Sequence, residues 1–341
     1  MTPEYDLLTL GEILLRLSPP GSERIISGQN FEKNSGGAEL NVACGGAALG
    51  LKTGIISRIP SHSIGQYVRR QIQAAGIGCD YLLSDFSEDA RLGIYYFETG
   101  TGPRKPAVVY DRLHTSIRDI SPESFPPEMY HNTRCFHTSG ITLGLDEHCF
   151  ETAVEMIRRF KKNGAEISFD VNFRGNLWNG ESARRHIEQI LPLVDIFFCS
   201  EDTARLTFGK TGTAQDIMKS FAAEYPMSVI ASTQRIVHSL RCHSFGSLVY
   251  DAGSDVFYQE KNYENIEITD RIGSGDAYVA GALYGLLTHD LPGCEKAMQY
   301  GNALGALKCT IAGDLPLTCP AEVSSVIHDH QKNHDGSEMI R

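Results

Sequence analysis

The sequence predicts an α/β protein: one mostly parallel sheet with helices between its strands, and a small second sheet over one end. Three observations predict this. Short apolar runs recur at intervals of roughly 30 residues, the length of a βαβ unit. The stretches between them carry helical periodicity, as parallel strands require of their crossovers. Residues 13–35 and 91–113 break the rhythm and alternate polar with apolar side chains, Tyr, Val and Ile prominent.

In chain order, 6–9 reads as the first strand. Leu40, Ala43, Ala47 and Leu51 share one helical face. A strand follows over 53–59 and a helix over 65–75. Buried strands are predicted at 135–139, 167–171, 196–199 and 228–232. An Ala/Gly/Leu-rich helix spans 277–287 and another 296–310. The body is then 1–12, 36–90 and 114–332. The segments 13–35 and 91–113 form antiparallel strands of a lid, and the polar residues 333–341 a flexible tail.

Composition excludes several functions. The chain has 341 residues, 31 Lys+Arg against 42 Asp+Glu, and a formal net charge of -11. With 41% hydrophobic and 21% charged residues it is globular, not disordered. An acidic chain is a poor non-specific binder of nucleic acid, so no nucleic-acid partner is expected. An anionic ligand must find local positive charge. Nine Cys without any CxxC read as reduced thiols of a cytoplasmic protein. The start MTPEYDLLTLGEILL lacks a basic region and a long apolar run, so neither a signal peptide nor a membrane span is expected. His328, His330 and His334 read as a solvated cluster, since HExxH is absent.

Three motifs carry chemistry. Asp270-Arg271-Ile272-Gly273-Ser274-Gly275-Asp276 precedes an apolar helix. Glycines at a helix mouth expose backbone N–H groups to an anion, where the helix dipole favours negative charge. Asp276 in the first turn is either a general base for an attacking hydroxyl or a helix cap. Gly36-Gly37-Ala38-Glu39-Leu40-Asn41 opens a second helix, as a ligand-approached turn or an ordinary glycine-rich start. Asp170-Val171-Asn172-Phe173-Arg174 ends a predicted strand, where open α/β sheets place ligands. Arg174 forks onto a carboxylate or phosphate there, or makes a surface ion pair.

In this order and spacing the motifs resemble the ribokinase-like PfkB family of carbohydrate kinases, over about Tyr5 to His330. GGAELNVA and DRIGSGDAYVAG are the signatures. GEILLRLSP, FHTSGIT, DVNFRGNLW and CSEDTARLTFG draw it toward the 2-keto-3-deoxygluconate kinase branch. The resemblance implies a three-layer α/β/α sandwich with a small β lid, and transfer of the ATP γ-phosphate to a primary sugar hydroxyl with Mg2+. A monovalent cation is a further candidate cofactor.

Carried over residue by residue, Asp276 is the base and the backbone of Gly273, Ser274 and Gly275 the anion hole. Gly36, Gly37 and Asn41 hold sugar hydroxyls, and Tyr95 and Tyr110 reach down from the lid. Arg112 and Arg174 face a sugar-acid carboxylate. Arg16 stands where ribose-type members have an Asp, and a cation there favours an acidic sugar. Ser200, Thr233, Arg235, Gly273, Gly275 and Asn302 fall on the nucleotide side; Asn302 also reads as a plain helix-surface residue. The family's N-x-x-E appears as Ser200-Glu201-Asp202-Thr203, leaving Glu201, or Asp202, as candidate metal ligand through water. Its LGxxG is replaced by Ser232–His238. Arg271 replaces a Thr or Pro, and either touches phosphate or pairs with a surface acid. A neutral-sugar or nucleoside kinase, and a non-catalytic sugar-binding regulator, stand as alternatives. Apolar lid residues Ile94, Tyr96, Phe97 and Val108 suggest a homodimer paired through the lid.

Overall fold

The computed structural model describes residues 3–288 and 293–332. The expected tail at 333–341, His334 included, lies outside the described residues. The chain begins with β1 (Tyr5–Leu10) and makes a lid hairpin of β2 (Leu14–Ser18) and β3 (Glu32–Gly36). It returns as α1 (Ala38–Leu49), β4 (Thr53–Pro60), α2 (Ser63–Ala74) and β5 (Leu82–Asp85), then leaves again for β6 (Gly93–Glu98) and β7 (Ala107–Asp111). The body resumes with β8 (Thr133–Ser139), α3 (Gly140–Leu143), α4 (Glu147–Lys162), β9 (Glu166–Asp170) and α5 (Gly180–Ile187). It continues through β10 (Ile196–Phe198), α6 (Glu201–Phe208), α7 (Ala214–Glu224), β11 (Val229–Ser239), β12 (Cys242–Asp251), β13 (Val256–Gln259) and β14 (Tyr263–Glu267). Three helices follow: α8 (Ser274–Thr288), α9 (Gly293–Lys308) and α10 (Pro320–Lys332).

Leu7 and Leu8 show why the body has three layers. Both are fully buried, and they belong to different apolar clusters. Successive strand side chains point to opposite faces, so a strand apolar at consecutive positions must be covered on both. Leu8 packs with Ile157, Ile187, Phe208 and Phe221 of α4 to α7. Leu7 packs with Val42, Ala280, Leu304 and Val323 of α1, α8, α9 and α10. The main sheet runs β13-β12-β11-β10-β9-β8-β1-β4-β5, parallel from β11 to β5. Chain order reverses between β1 and β8, which opens a crevice beyond their C-terminal ends.

Two features differ from the sequence reading. The lid sheet, ordered β3-β2-β6-β7, has a parallel central pair, with Leu14 opposite Gly93. Each hairpin is antiparallel, as expected, but their first strands leave the body in the same direction and so run side by side. The second feature is the antiparallel extension of β12, β13 and β14 beyond β11. β12 reads CHSFGSLVYD, whose buried His, Ser and Gly hide the apolar run that marks a buried strand.

Candidate active site

A cavity of about 650 Å3 lies at the C-terminal ends of the parallel strands, beneath the lid. β11 sends Ala231, Thr233 and Arg235 into it, the alternate residues of one strand face. Phe198, Cys199 and Ser200 follow from β10, Asp170 ends β9, and Glu12 comes just after β1. Tyr95, Val108, Tyr110 and Arg112 close it from the lid side.

Asp276 sits in the first turn of α8. Its Oδ2 accepts from Asn41 Nδ2 at 2.7 Å and its Oδ1 from Asn172 Nδ2 at 3.3 Å. Two amide donors thus fix the carboxylate plane. Asn172 adopts φ +35°, a conformation that Asn tolerates better than most residues. It turns the chain at the end of β9 and aims the side chain at Asp276. Burial raises the Asp276 pKa, opposed by Asn41 and by the charge of Arg174. Burial also lifts Asp170 to about 7, with Asp276 adding to the effect. Glu39 is likewise pushed up to about 7 by burial, although Ser139 and Thr142 donate to it.

Gly273 has φ +84°, and a Cβ there would lie 2.3 Å from the Asp314 carbonyl oxygen, so this turn admits no side chain. Nothing stands within 4 Å of a Cβ built on Gly275, which leaves the mouth of α8 open to the cavity. Arg235 and Arg271 also line the cavity and form no ion pair among the described residues.

Of the expected site residues, Gly37, Asn41, Tyr95, Tyr110, Arg112, Arg174, Ser200, Thr233, Arg235, Gly273, Ser274, Gly275 and Asp276 all line the cavity. Four do not. Arg16 is buried and donates to Asp270 at 2.6 Å, Asp314 at 3.0 Å and Ser18 at 2.7 Å. Its charge is met inside the protein, which corrects its expected role toward a ligand carboxylate. Gly36 packs against Asp314, where a Cβ would meet Oδ2 at 2.1 Å. Asn302 is fully buried, donates to Glu260 at 2.8 Å and does not line the cavity. Glu201 accepts from Arg205 at 2.5 Å, one turn along α6, and Asp202 faces the cavity instead.

Arg112 reaches the cavity, but its guanidinium forks onto Glu12, with Nε–Oε2 2.8 Å, and Thr115 holds the other Glu12 oxygen at 2.6 Å. Arg174, by contrast, is exposed and has no ion pair among the described residues. Sequence reasoning missed Glu12, Glu39 and Asp314. Glu39 carried a signal: a lone acid inside the apolar helix start GGAELNVA. No group of three or more His, Cys, Asp or Glu residues that could hold a metal occurs among the described residues. Mg2+ would fit here only as an ion carried mainly by substrate phosphates, with Asp202 the cavity-lining carboxylate of α6.

Comparison with known proteins decides the family. The model of the pfkB family carbohydrate kinases matches residues 5–317. The chain belongs to this family. A 2-dehydro-3-deoxygalactonokinase of Haloferax volcanii is 33% identical over 322 residues, 94% of this chain and 96% of its own. A 2-dehydro-3-deoxygluconokinase of Bacillus subtilis is 25% identical over 313 residues, 92% of each chain. The crystal structure of 2-dehydro-3-deoxygluconokinase from Thermotoga maritima superposes with a TM-score of 0.88 at 28% identity, covering 94% of this chain and 99% of that one. The α/β sandwich with its separate small sheet is the ribokinase-like fold of this kinase family.

Proposed function

We propose that this kinase transfers the γ-phosphate of ATP to the primary hydroxyl of a 2-keto-3-deoxy sugar acid, of gluconate or galactonate configuration, giving the 6-phosphate. The observation that carries the reading is Asp276, held by Asn41 and Asn172 at the mouth of α8, with the Gly273–Gly275 backbone beside it and Arg174 unpaired in the same cavity. Asp276 accepts the hydroxyl proton, and the N–H groups of Gly273–Gly275 stabilise charge on the transferring phosphoryl group. Arg235 and Arg271 receive the remaining phosphate charge, with Mg2+ supplying further neutralisation when bound. Arg174 forks onto the sugar-acid carboxylate, joined by the free Nη1 of Arg112. The lid aromatics Tyr95 and Tyr110, whose rings lie 5.8 Å apart, cover the sugar and exclude water.

A neutral ketose is the second reading. It is favoured by the internal pairing of Arg16 and Arg112, which leaves one free arginine where three were expected. A fructokinase of Escherichia coli is 28% identical over 322 residues. ADP release measured with both sugar-acid epimers and with fructose separates the two. Turnover on fructose with none on either acid would overturn the first reading. We also propose a homodimer paired through β7, all five residues of which are exposed, and a reducing cytoplasmic setting for the nine free cysteines. No helix among the described residues is long and apolar enough to cross a membrane.

A further inference from the structure

Lys308 ends α9 with its side chain turned inward and is 0% exposed. Its ammonium donates to two backbone carbonyls, Asp270 at 3.2 Å and Ile311 at 3.0 Å. The charged groups around it are the carboxylates of Asp270 and Asp314 and the guanidinium of Arg16. Arg16 bonds both of those carboxylates. Two carboxylates and two cationic side chains thus balance in one buried cluster.

This cluster ties two loops together. The Asp270 carboxylate accepts the N–H of Ile272 at 3.1 Å and of Gly313 at 3.2 Å. Thr269 and Asp270 both donate to the Cys309 carbonyl, at 2.9 and 3.1 Å. Further along, Gly273 lies against the Asp314 carbonyl. The anion-hole turn is therefore shaped by whatever holds Asp270 to residues 309–314. Removing one cation would strand a buried negative charge and two carbonyls beside a cavity that receives phosphate.

Carbonyl oxygens converging on one buried positive charge are the surroundings of a bound monovalent ion, and a lysine ammonium is a compact point charge of that kind. We propose that Lys308 is a positioning residue that supplies this cation from within the chain, holding the Gly273–Gly275 turn in phosphate-binding shape so that turnover needs no added K+ or NH4+. The proposal rests on the kinase reading of the cavity. It replaces the dissociable monovalent cation expected from the sequence with a covalently attached one.

The full-length protein is assayed for ADP release in choline, Na+, K+ and NH4+ chlorides at one ionic strength. The wild type is expected to turn over equally in all four. Lys308→Met is expected to lose about 100-fold in choline chloride through misplacement of the turn. K+ or NH4+, but not choline, should restore part of that loss. Thermal unfolding without substrates adds a readout independent of turnover: K+ or NH4+ should raise the Tm of Lys308→Met and leave the wild type unmoved. A wild type activated by K+ overturns the proposal, and so does a folded Lys308→Met variant indifferent to every cation. If Lys308→Met does not fold, Lys308→Gln is read in the same way, and the wild-type salt series already stands as a test. Failure of the sugar-acid reading appears separately, as turnover on fructose alone, and the salt series then runs on fructose.

Discussion

Glu39→Gln should remove most of a pH-dependent weakness from the fold. Glu39 is fully buried under the cavity. One oxygen accepts from the Ser139 N–H at 3.0 Å, the Ser139 hydroxyl at 2.7 Å and the Thr142 hydroxyl at 2.7 Å, while its Oε2 is buried without a partner. Burial raises the pKa from 4.5 to about 7. An acid with a raised folded pKa binds a proton in the native state that the unfolded chain releases. Its stabilising effect is complete below pH 4.5 and is lost as pH climbs through 7. At about 1.4 kcal/mol per unit, the shift amounts to roughly 3 kcal/mol. Glutamine keeps the accepting oxygen and cannot ionise. In urea unfolding from pH 5 to pH 8.5, the wild type should lose about 2–3 kcal/mol relative to Glu39→Gln. A stability difference that stays constant across this range would refute the reasoning.

Four further expectations concern the site and the lid. Asp276→Asn should lower kcat by roughly 100- to 10,000-fold while sugar binding, read by calorimetry, persists; normal turnover would remove Asp276 as the base. Because burial raises the Asp276 pKa and the base acts deprotonated, the acid limb of kcat/KM should lie above the usual Asp range, and a limb near pH 4 would contradict it. Arg174→Met should raise the KM for a sugar acid by roughly 10- to 100-fold, the loss of a charge-assisted hydrogen bond, with the KM for ATP unchanged. Val109 is 56% exposed on β7, so Val109→Lys should convert a dimer to monomers in light scattering, and an unaltered mass would exclude β7 as the interface.

The readable parts of the site were those written in contiguous residues. The turn Gly273–Asp276, the start of α1 and the end of β9 each announce themselves by glycines or by a polar run closing an apolar one. All three meet at one cavity, because parallel strands place their C-terminal ends together. Pairing across the chain was not readable. Arg16 and Asp314 are 298 positions apart, and Arg112 lies 100 from Glu12. Nothing local marks an arginine as already partnered, so charges read as free proved to be satisfied within the protein. Asn302 likewise reads as a helix-surface polar residue and is in fact buried against Glu260. The main-sheet body was legible through its apolar runs, whereas β12 escaped because buried His243, Ser244 and Ser247 interrupt its apolar residues Phe245, Leu248, Val249 and Tyr250.

The parallel pairing of β2 with β6 bears on the order in which the molecule assembles. The two lid hairpins can each close locally, but they join across about 79 residues, the separation of Leu14 and Gly93. The intervening chain is α1, β4, α2 and β5, all parts of the body. Only when β1 and β4 have docked do the hairpins arrive side by side. The lid is therefore a late folder that cannot be excised as an independent unit. A nascent chain halted before residue 93 would display β2 as an unpaired edge, open to strand-swapped aggregates until the second hairpin is made.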